Sequence, residues 1–287
     1  MPEGDTLHTI ARVLHPVLAG ERLERAWLRA GGGAVLRART VRAVFAVGKH
    51  LIVHFEPTRD RRDALRVHLG MPGSWHLVPA GGALRRDPRS LVVRLGTRRH
   101  DALCFAAPQV ELGALAEMRT RGALSRLGPD LLGEAPDLAA IAAAASQTRP
   151  IAEVLLDQTI ASGIGNVYKS ELCFWAGVSP RTPAAALSPA AREALYAQAR
   201  RWMSANLGPW MRVTTGPPPG PGPGAGERLW VYGRAGRPCL RCGAPIEKFR
   251  QGSPSRVSYR CPRCQPDAEP VGAACKARFG VGSASRS

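Results

Sequence analysis

No stretch of this chain approaches the ~20 consecutive apolar residues that a membrane-spanning helix needs, and Met1 is not followed by a charged and then apolar leader. The protein is therefore expected to be soluble, intracellular and cytoplasmic, with no membrane partner. Acidic residues are scarce, 22 against 40 Lys and Arg, which leaves a formal charge of +18. So one-sided a balance exceeds what solubility requires and points to a polyanionic partner, most often nucleic acid. Lysine is scarcer still. Only Lys49, Lys169, Lys248 and Lys276 occur, so arginine is the default cation and each lysine stands out. Of the seven cysteines, Cys104, Cys173 and Cys275 are isolated, and the other four fall into two C-x-x-C pairs. In a reducing compartment that grouping reads as a metal site rather than a disulfide framework.

The 287 residues suit about two domains, and 45% hydrophobic residues suffice for real cores. Charge is unevenly spread: Lys and Arg outnumber Asp and Glu by 18 to 10 over residues 1–115, 10 to 8 over 116–215 and 12 to 4 over 216–287. Both ends are basic, as if clasping something between them. Residues 1–115 open with a helix, because Asp5 and Thr6 can cap a run with Leu7, Ile10, Ala11, Leu14 and Leu18 at helical spacing. Short strand-like runs follow at Val41–Val47, Leu51–Phe55, Arg66–Met71 and Leu91–Leu95. That is the pattern of a β-sandwich or barrel with one terminal helix. Residues 116–215 turn to Ala, Leu and Arg at helical spacing, with Ser188-Pro189 opening one helix. The Pro/Gly-rich segment 216–230 reads as a linker, 231–265 as a four-cysteine hairpin and 266–287 as a disordered tail.

Three local patterns carry chemistry. The first is the start, Met1-Pro2-Glu3-Gly4. Removal of Met1, which a small second residue permits, leaves Pro2 as a secondary amine with a free lone pair. Such an amine titrates near pH ~8 and can attack a sugar carbon to form an iminium. The following helix directs its positive end toward the amine and disfavours the ammonium form. An incidental Met-Pro start is the alternative.

The second pattern is Cys239-x-x-Cys242, eighteen residues, then Cys261-x-x-Cys264. Two thiolate pairs joined by a hairpin suit one tetrahedral structural Zn2+, with two disulfides as the alternative. Lys248, Arg250, Arg256 and Arg260 on that hairpin would face phosphates. The third pattern pairs the helix around Ile151, Val154 and Leu155 with a second helix that Asn166 can cap, across the Gly163-Ile164-Gly165 turn. An exposed helix N-terminus beside glycines lets backbone N–H groups approach a phosphate, although a plain helical hairpin would look the same. Gly48-Lys49-His50 adds a lysine at the head of an apolar strand, placed to hold a phosphate or assist proton transfer.

Together these motifs resemble the formamidopyrimidine-DNA glycosylase and endonuclease VIII family of base-excision repair enzymes. The resemblance runs from Pro2 to Gln265 and adds His68-Leu69-Gly70-Met71-Pro72-Gly73, Leu127-Gly128-Pro129-Asp130, Val231-Tyr232-Gly233-Arg234 and Arg256 to Gln265. It implies a multidomain α+β fold: an N-terminal β-sandwich with a terminal helix, a helix-two-turn-helix domain and a C-terminal four-cysteine zinc-finger hairpin. It also implies a monomer acting on damaged DNA, whether duplex, bubble or single-stranded, near the nucleoid. By the same resemblance Pro2 is the Schiff-base nucleophile and Glu3 the general acid. Lys49 serves β-elimination and phosphate binding, Asn166 and Arg256 grip phosphates, Arg256 also assists δ-elimination, and Met71 is a wedge filling the gap left by a flipped nucleotide. A non-catalytic binder of damaged DNA on the same scaffold would need none of Pro2, Glu3 and Lys49.

The sequence departs from the family pattern in three places. Thr6 stands where many members carry a second glutamate, and the proline-rich insertion before Glu227 and the gap within the finger are longer than usual. The branch specific for oxidised guanine carries an Arg-Arg-Phe-Gly segment. Here the corresponding stretch is Cys104-Phe105-Ala106-Ala107-Pro108-Gln109, and Asp87-Pro88-Arg89 imitates the motif too early. Without a cationic probe for cytosine, oxidised pyrimidines are the expected lesions, with an 8-oxoguanine or formamidopyrimidine glycosylase as the alternative.

Overall fold

The computed structural model describes residues 2–59, 61–84, 86–208, 211–216 and 227–267. Helix α1 (Gly4–Leu18) opens the chain and buries Leu7, Ala11, Leu14 and Leu18 on one face, a spacing of four, three and four. It starts earlier than Asp5 and Thr6 suggest. Glu3 occupies the N-cap position, where its carbonyl accepts the Thr6 and Leu7 N–H groups and the Thr6 hydroxyl accepts the Glu3 N–H.

Two four-stranded antiparallel sheets follow. One runs in the order β1 (Arg25–Leu28), β6 (Leu91–Gly96), β7 (His100–Phe105), β5 (Ser74–Pro79), and the other β2 (Val41–Val47), β3 (His50–Phe55), β4 (Ala64–His68), β8 (Gln109–Gly113). Their inner faces, with Leu28, Val93 and Leu95 on one and Val44, Val53, Phe55 and Val67 on the other, meet α1 in a single apolar core. This is a sandwich with a helix on it. The run expected as a strand to Met71 ends at His68, because Gly70 takes φ +56° and Gly73 donates back to the Leu69 carbonyl in a tight turn.

Helices α2 (Leu115–Thr120), α3 (Leu138–Ala144), α4 (Ile151–Leu156), α5 (Asn166–Trp175) and α6 (Pro189–Ala205) make the middle of the chain. The Ser188 hydroxyl accepts the Ala191 N–H and Pro189 occupies the first turn of α6, as the Ser-Pro pair indicates. Ile151, Val154 and Leu155 of α4 pack on Tyr168 and Leu172 of α5. Strands β9 (Glu247–Gln251) and β10 (Arg256–Arg260) form the C-terminal hairpin in continuous register. Asp267, in the segment expected as tail, is held by Ser179 and Arg260. Most of the expected tail, 268–287, and residues 217–226 of the Pro/Gly segment lie outside the described residues. Among the described residues no helix is long and apolar enough to cross a membrane.

Candidate active site

A cleft of about 560 Å³ lies where the sandwich, the α4–α5 turn and the finger hairpin meet. Pro2, Lys49, His68, Met71, Asn166 and Arg256 all line it. Five of these were expected from sequence; His68 was not singled out, although it opens a quoted motif.

Glu3 forms the floor beneath them. Its carboxylate is fully buried and accepts N–H bonds from Gly165 at 2.8 Å, Val167 at 2.8 Å and Tyr168 at 3.3 Å. These are the first backbone donors of α5, so the cap of that helix is supplied by a side chain from 162 residues before Gly165 rather than by Asn166. The expectation that backbone N–H groups of this turn grip a phosphate is corrected for four of them: Glu3 occupies those of Gly165, Val167 and Tyr168, and Gly163 N–H is taken by Gln158. The Asn166 side chain remains, and its Oδ1 has no partner where it reaches the cleft.

Gly165 must be glycine for this to work. A Cβ there would stand 2.4 Å from the Glu3 carboxyl carbon. Gly165→Ala should therefore displace Glu3 from the α5 N–H groups and lower stability by about 1–3 kcal/mol, the cost of leaving buried polar groups unpaired. A wild-type melting temperature in that variant would show that Glu3 needs no fixed position.

Lys49 sits in the two-residue turn between β2 and β3, after Gly48 at φ +56°. The turn is pinned from the helical side, where Asp130 accepts the Gly48 N–H at 2.8 Å and the His8 Nε2 lies 2.9 Å from the same oxygen. Burial opposes the Asp130 charge, but the bonds from His8, Gly48 and Leu132 hold its carboxyl below the usual range. Burial also lowers Lys49 to about 8, with Glu3 opposing and Arg256 and Arg212 assisting. An appreciable neutral fraction at physiological pH follows. His68 accepts the Gly70 N–H on Nδ1 at 3.3 Å, and burial together with Lys49 and Arg66 lowers its pKa. The neutral ring then carries its proton on Nε2. Met71 is 73% exposed at the tip of its turn.

The finger is fastened to the same floor. Lys169, fully buried, donates to the Val257 carbonyl at 2.6 Å and the Ser258 hydroxyl at 2.8 Å, and burial lowers it to about 8. Glu171 accepts the N–H groups of Trp230, Val231 and Tyr232 and the Thr214 hydroxyl, which fixes the entry to the finger. Its burial pushes the carboxyl up against those four bonds. Neither residue was assigned a role from sequence, although the rarity of lysine flags Lys169. Arg256 opens β10, is exposed, and faces the cleft.

Behind it the Cys239, Cys242, Cys261 and Cys264 sulfurs all lie within 4.8 Å of one another, with Cys239 to Cys264 at 3.9 Å and Cys242 to Cys261 at 3.4 Å. Four thiolates at ~2.3 Å from a tetrahedral centre stand ~3.8 Å apart, so the set fits a structural metal ion with no ligand position left over.

Residues 1–114 match the formamidopyrimidine-DNA glycosylase N-terminal domain and residues 127–208 its H2TH domain. The chain is 41% identical to the probable endonuclease 8 2 of Streptomyces coelicolor, covering 94% of this chain and 96% of that protein. It is 38% identical to the DNA-(apurinic or apyrimidinic site) lyase Nei2 of Mycolicibacterium smegmatis, over 92% and 99%. Among solved structures, the MutM (FPG) protein of Thermus thermophilus superposes with a TM-score of 0.73 at 27% identity, over 93% of this chain and 100% of that one. The Lactococcus lactis formamidopyrimidine-DNA glycosylase bound to AP-site DNA has the same fold, with a TM-score of 0.74 at 21% identity over 92% and 100%. The chain belongs to the formamidopyrimidine-DNA glycosylase and endonuclease VIII family.

Proposed function

We propose that this enzyme, a bifunctional DNA glycosylase and AP lyase of base-excision repair, works through the amine of Pro2 once Met1 is removed. The convergence of Pro2, Lys49, Asn166 and Arg256 on one cleft above Glu3 carries the reading. The amine attacks the anomeric carbon, and the bond to the base breaks with its electron pair leaving on the base. The proton released by the amine passes through Glu3 to the ring oxygen as the sugar opens to an iminium. The iminium acidifies the neighbouring carbon, and loss of that proton expels the 3′ phosphate, with neutral Lys49 as the base. Arg256 holds the phosphate that leaves in the following δ-elimination. Asn166 and the His68 Nε2–H bind the backbone of the flipped nucleotide, and Met71 fills its place in the stack.

Damaged DNA is the partner, held between units at 1–115, 116–215 and 231–265 by a chain of net charge +18. Every proposed site residue comes from one chain, so a monomer suffices. The metal is zinc: redox-inert, at home among four thiolates, and structural because protein fills every position.

For the lesion, the β7–β8 connection supports the reading. It is only three residues long, 106–108, and Phe105 before it is 1% exposed. Phe105 is therefore core and not a wedge. The arginine touching Gln109 is Arg66, which is 6% exposed and bound to Glu111 at 2.7 Å. That stretch offers no free cation to an orphaned cytosine. Oxidised pyrimidines such as thymine glycol or 5,6-dihydrouracil should be excised faster than 8-oxoguanine opposite cytosine, and bubble or single-stranded substrates should be accepted. Single-turnover cleavage of these substrates at one salt concentration tests it. Fastest cleavage of 8-oxoguanine opposite cytosine would overturn this lesion assignment.

A further inference from the structure

Arg212 belongs to no motif, yet it occupies the centre of the buried charge beneath the cleft. It lies on the segment after α6, with its side chain 12% exposed. Its Nε donates to Asp5 Oδ2 at 2.7 Å, its Nη2 donates to Asp5 Oδ1 and, at 3.3 Å, to the Thr6 hydroxyl. The guanidinium stacks 4.7 Å above the Tyr168 ring and stands 3.9 Å from Glu3 Oε1. Asp5, 3% exposed, also accepts the Tyr168 hydroxyl at 2.8 Å. The second carboxylate of this N-terminal run is thus Asp5, one position before Thr6, and it is locked to a cation in a bidentate pair. Such a pair has one geometry, and neither charge can turn to solvent.

The charged and titratable groups of the cleft and its buried underside come from several elements. Glu3 and Asp5 come from the start of α1, Lys49 from the β2–β3 turn, Lys169 and Tyr168 from α5, and Arg256 from the finger. His68 and Tyr232 are neutral near pH 7, and Arg149, Glu153 and Asp157 line the same cleft from the α4 side. Arg212 and Asp5 are a cation and an anion placed at one site, and neither lines the cleft.

We propose that Arg212 and Asp5 are positioning residues that together set the pH at which the Pro2 amine becomes nucleophilic. Arg212 disfavours the ammonium form and anchors Glu3, while Asp5 tempers Arg212 and holds it in place. The inference rests on Pro2 being the nucleophile. The two residues touch one another, so a merely structural role predicts the same defect whichever partner is changed. The electrostatic role predicts opposite shifts.

Single-turnover cleavage of an abasic-site duplex, followed from acid to alkaline pH with borohydride capture alongside, reads the midpoint. Arg212→Gln should move it up by about one pH unit and Asp5→Asn down by about as much, the effect of one partly screened charge nearby. The double variant Asp5→Asn/Arg212→Gln should return close to wild type, and Arg212→Lys, which keeps the charge, should hold the wild-type midpoint. Binding to a tetrahydrofuran-site duplex and zinc content confirm that each variant is folded. Midpoints that move together, or not at all, in the folded single variants would overturn the inference. Protein that retains a residue ahead of Pro2 yet shows the wild-type profile would instead remove the nucleophile reading beneath it.

Discussion

Protein that retains any residue ahead of Pro2 forms no borohydride-trapped adduct with an abasic-site oligonucleotide, whereas protein beginning at Pro2 forms one in high yield. An acylated nitrogen has delocalised its lone pair, so a tag left in place removes the nucleophile without touching the cleft. Pro2→Gly restores an amine but not the ring that fixes its direction, and its capture should fall by roughly 10²-fold. Affinity for a tetrahydrofuran-site duplex should survive both changes, because Lys49, Asn166, Met71 and Arg256 still line the cleft. Denaturing electrophoresis of the reduced mixture separates the cases. A tagged protein that captures DNA as well as the mature one would show that another amine, with Lys49 the first candidate, does the work.

What the sequence disclosed and what it hid divide along physical lines. Pro2, Lys49 and the four cysteines could be picked out because their signals are local: a Met-Pro-Glu start, a rare lysine in a glycine turn, and two C-x-x-C pairs. The strands read from sequence, β2, β3, β4 and β6, are apolar runs, although β4 stops at His68. Four others went unread. β1, β5 and β8 are edge strands with mixed burial. β7 lies inside its sheet, but its pattern is broken by Asp101, a carboxylate 1% exposed and satisfied by Arg25, Arg94 and the Gly81 N–H.

The floor of the site was hidden for a different reason. Glu3 reaches α5 across 162 residues and Arg212 reaches Asp5 across 207, distances at which no spacing rule operates. Sequence named Glu3 for its place beside Pro2, the proposed nucleophile. Its second task, capping the helix that carries Asn166, belongs to the fold alone. The site is thereby coupled: the side chain beside the amine also fixes the element that presents Asn166 to the cleft.

Cys261→Ser should reduce bound metal from about one zinc per chain to about none, and DNA binding should be lost with it. The finger cannot hold itself together by other means. Among the described residues its strands are β9 and β10 alone, and the apolar cluster behind them consists of Val231, Ala244, Ile246, Tyr259 and the cysteines packed on Phe174 and Trp230. A structural four-thiolate zinc contributes on the order of 10 kcal/mol, far more than so small a cluster supplies. Unfolding the hairpin would also strip Lys169 of the Val257 carbonyl and Ser258 hydroxyl, leaving a buried ammonium without partners at the edge of the active site. The loss should therefore reach beyond the finger and lower activity on a bare abasic site. Arg256→Ala separates the two roles of the segment. The side chain is exposed and contributes nothing to the metal site, so zinc content should remain at about one per chain while strand cleavage falls steeply. Metal analysis beside single-turnover cleavage decides both halves. Active protein with no bound metal would refute the structural role of the ion, and full activity in Arg256→Ala would remove that arginine from the reaction.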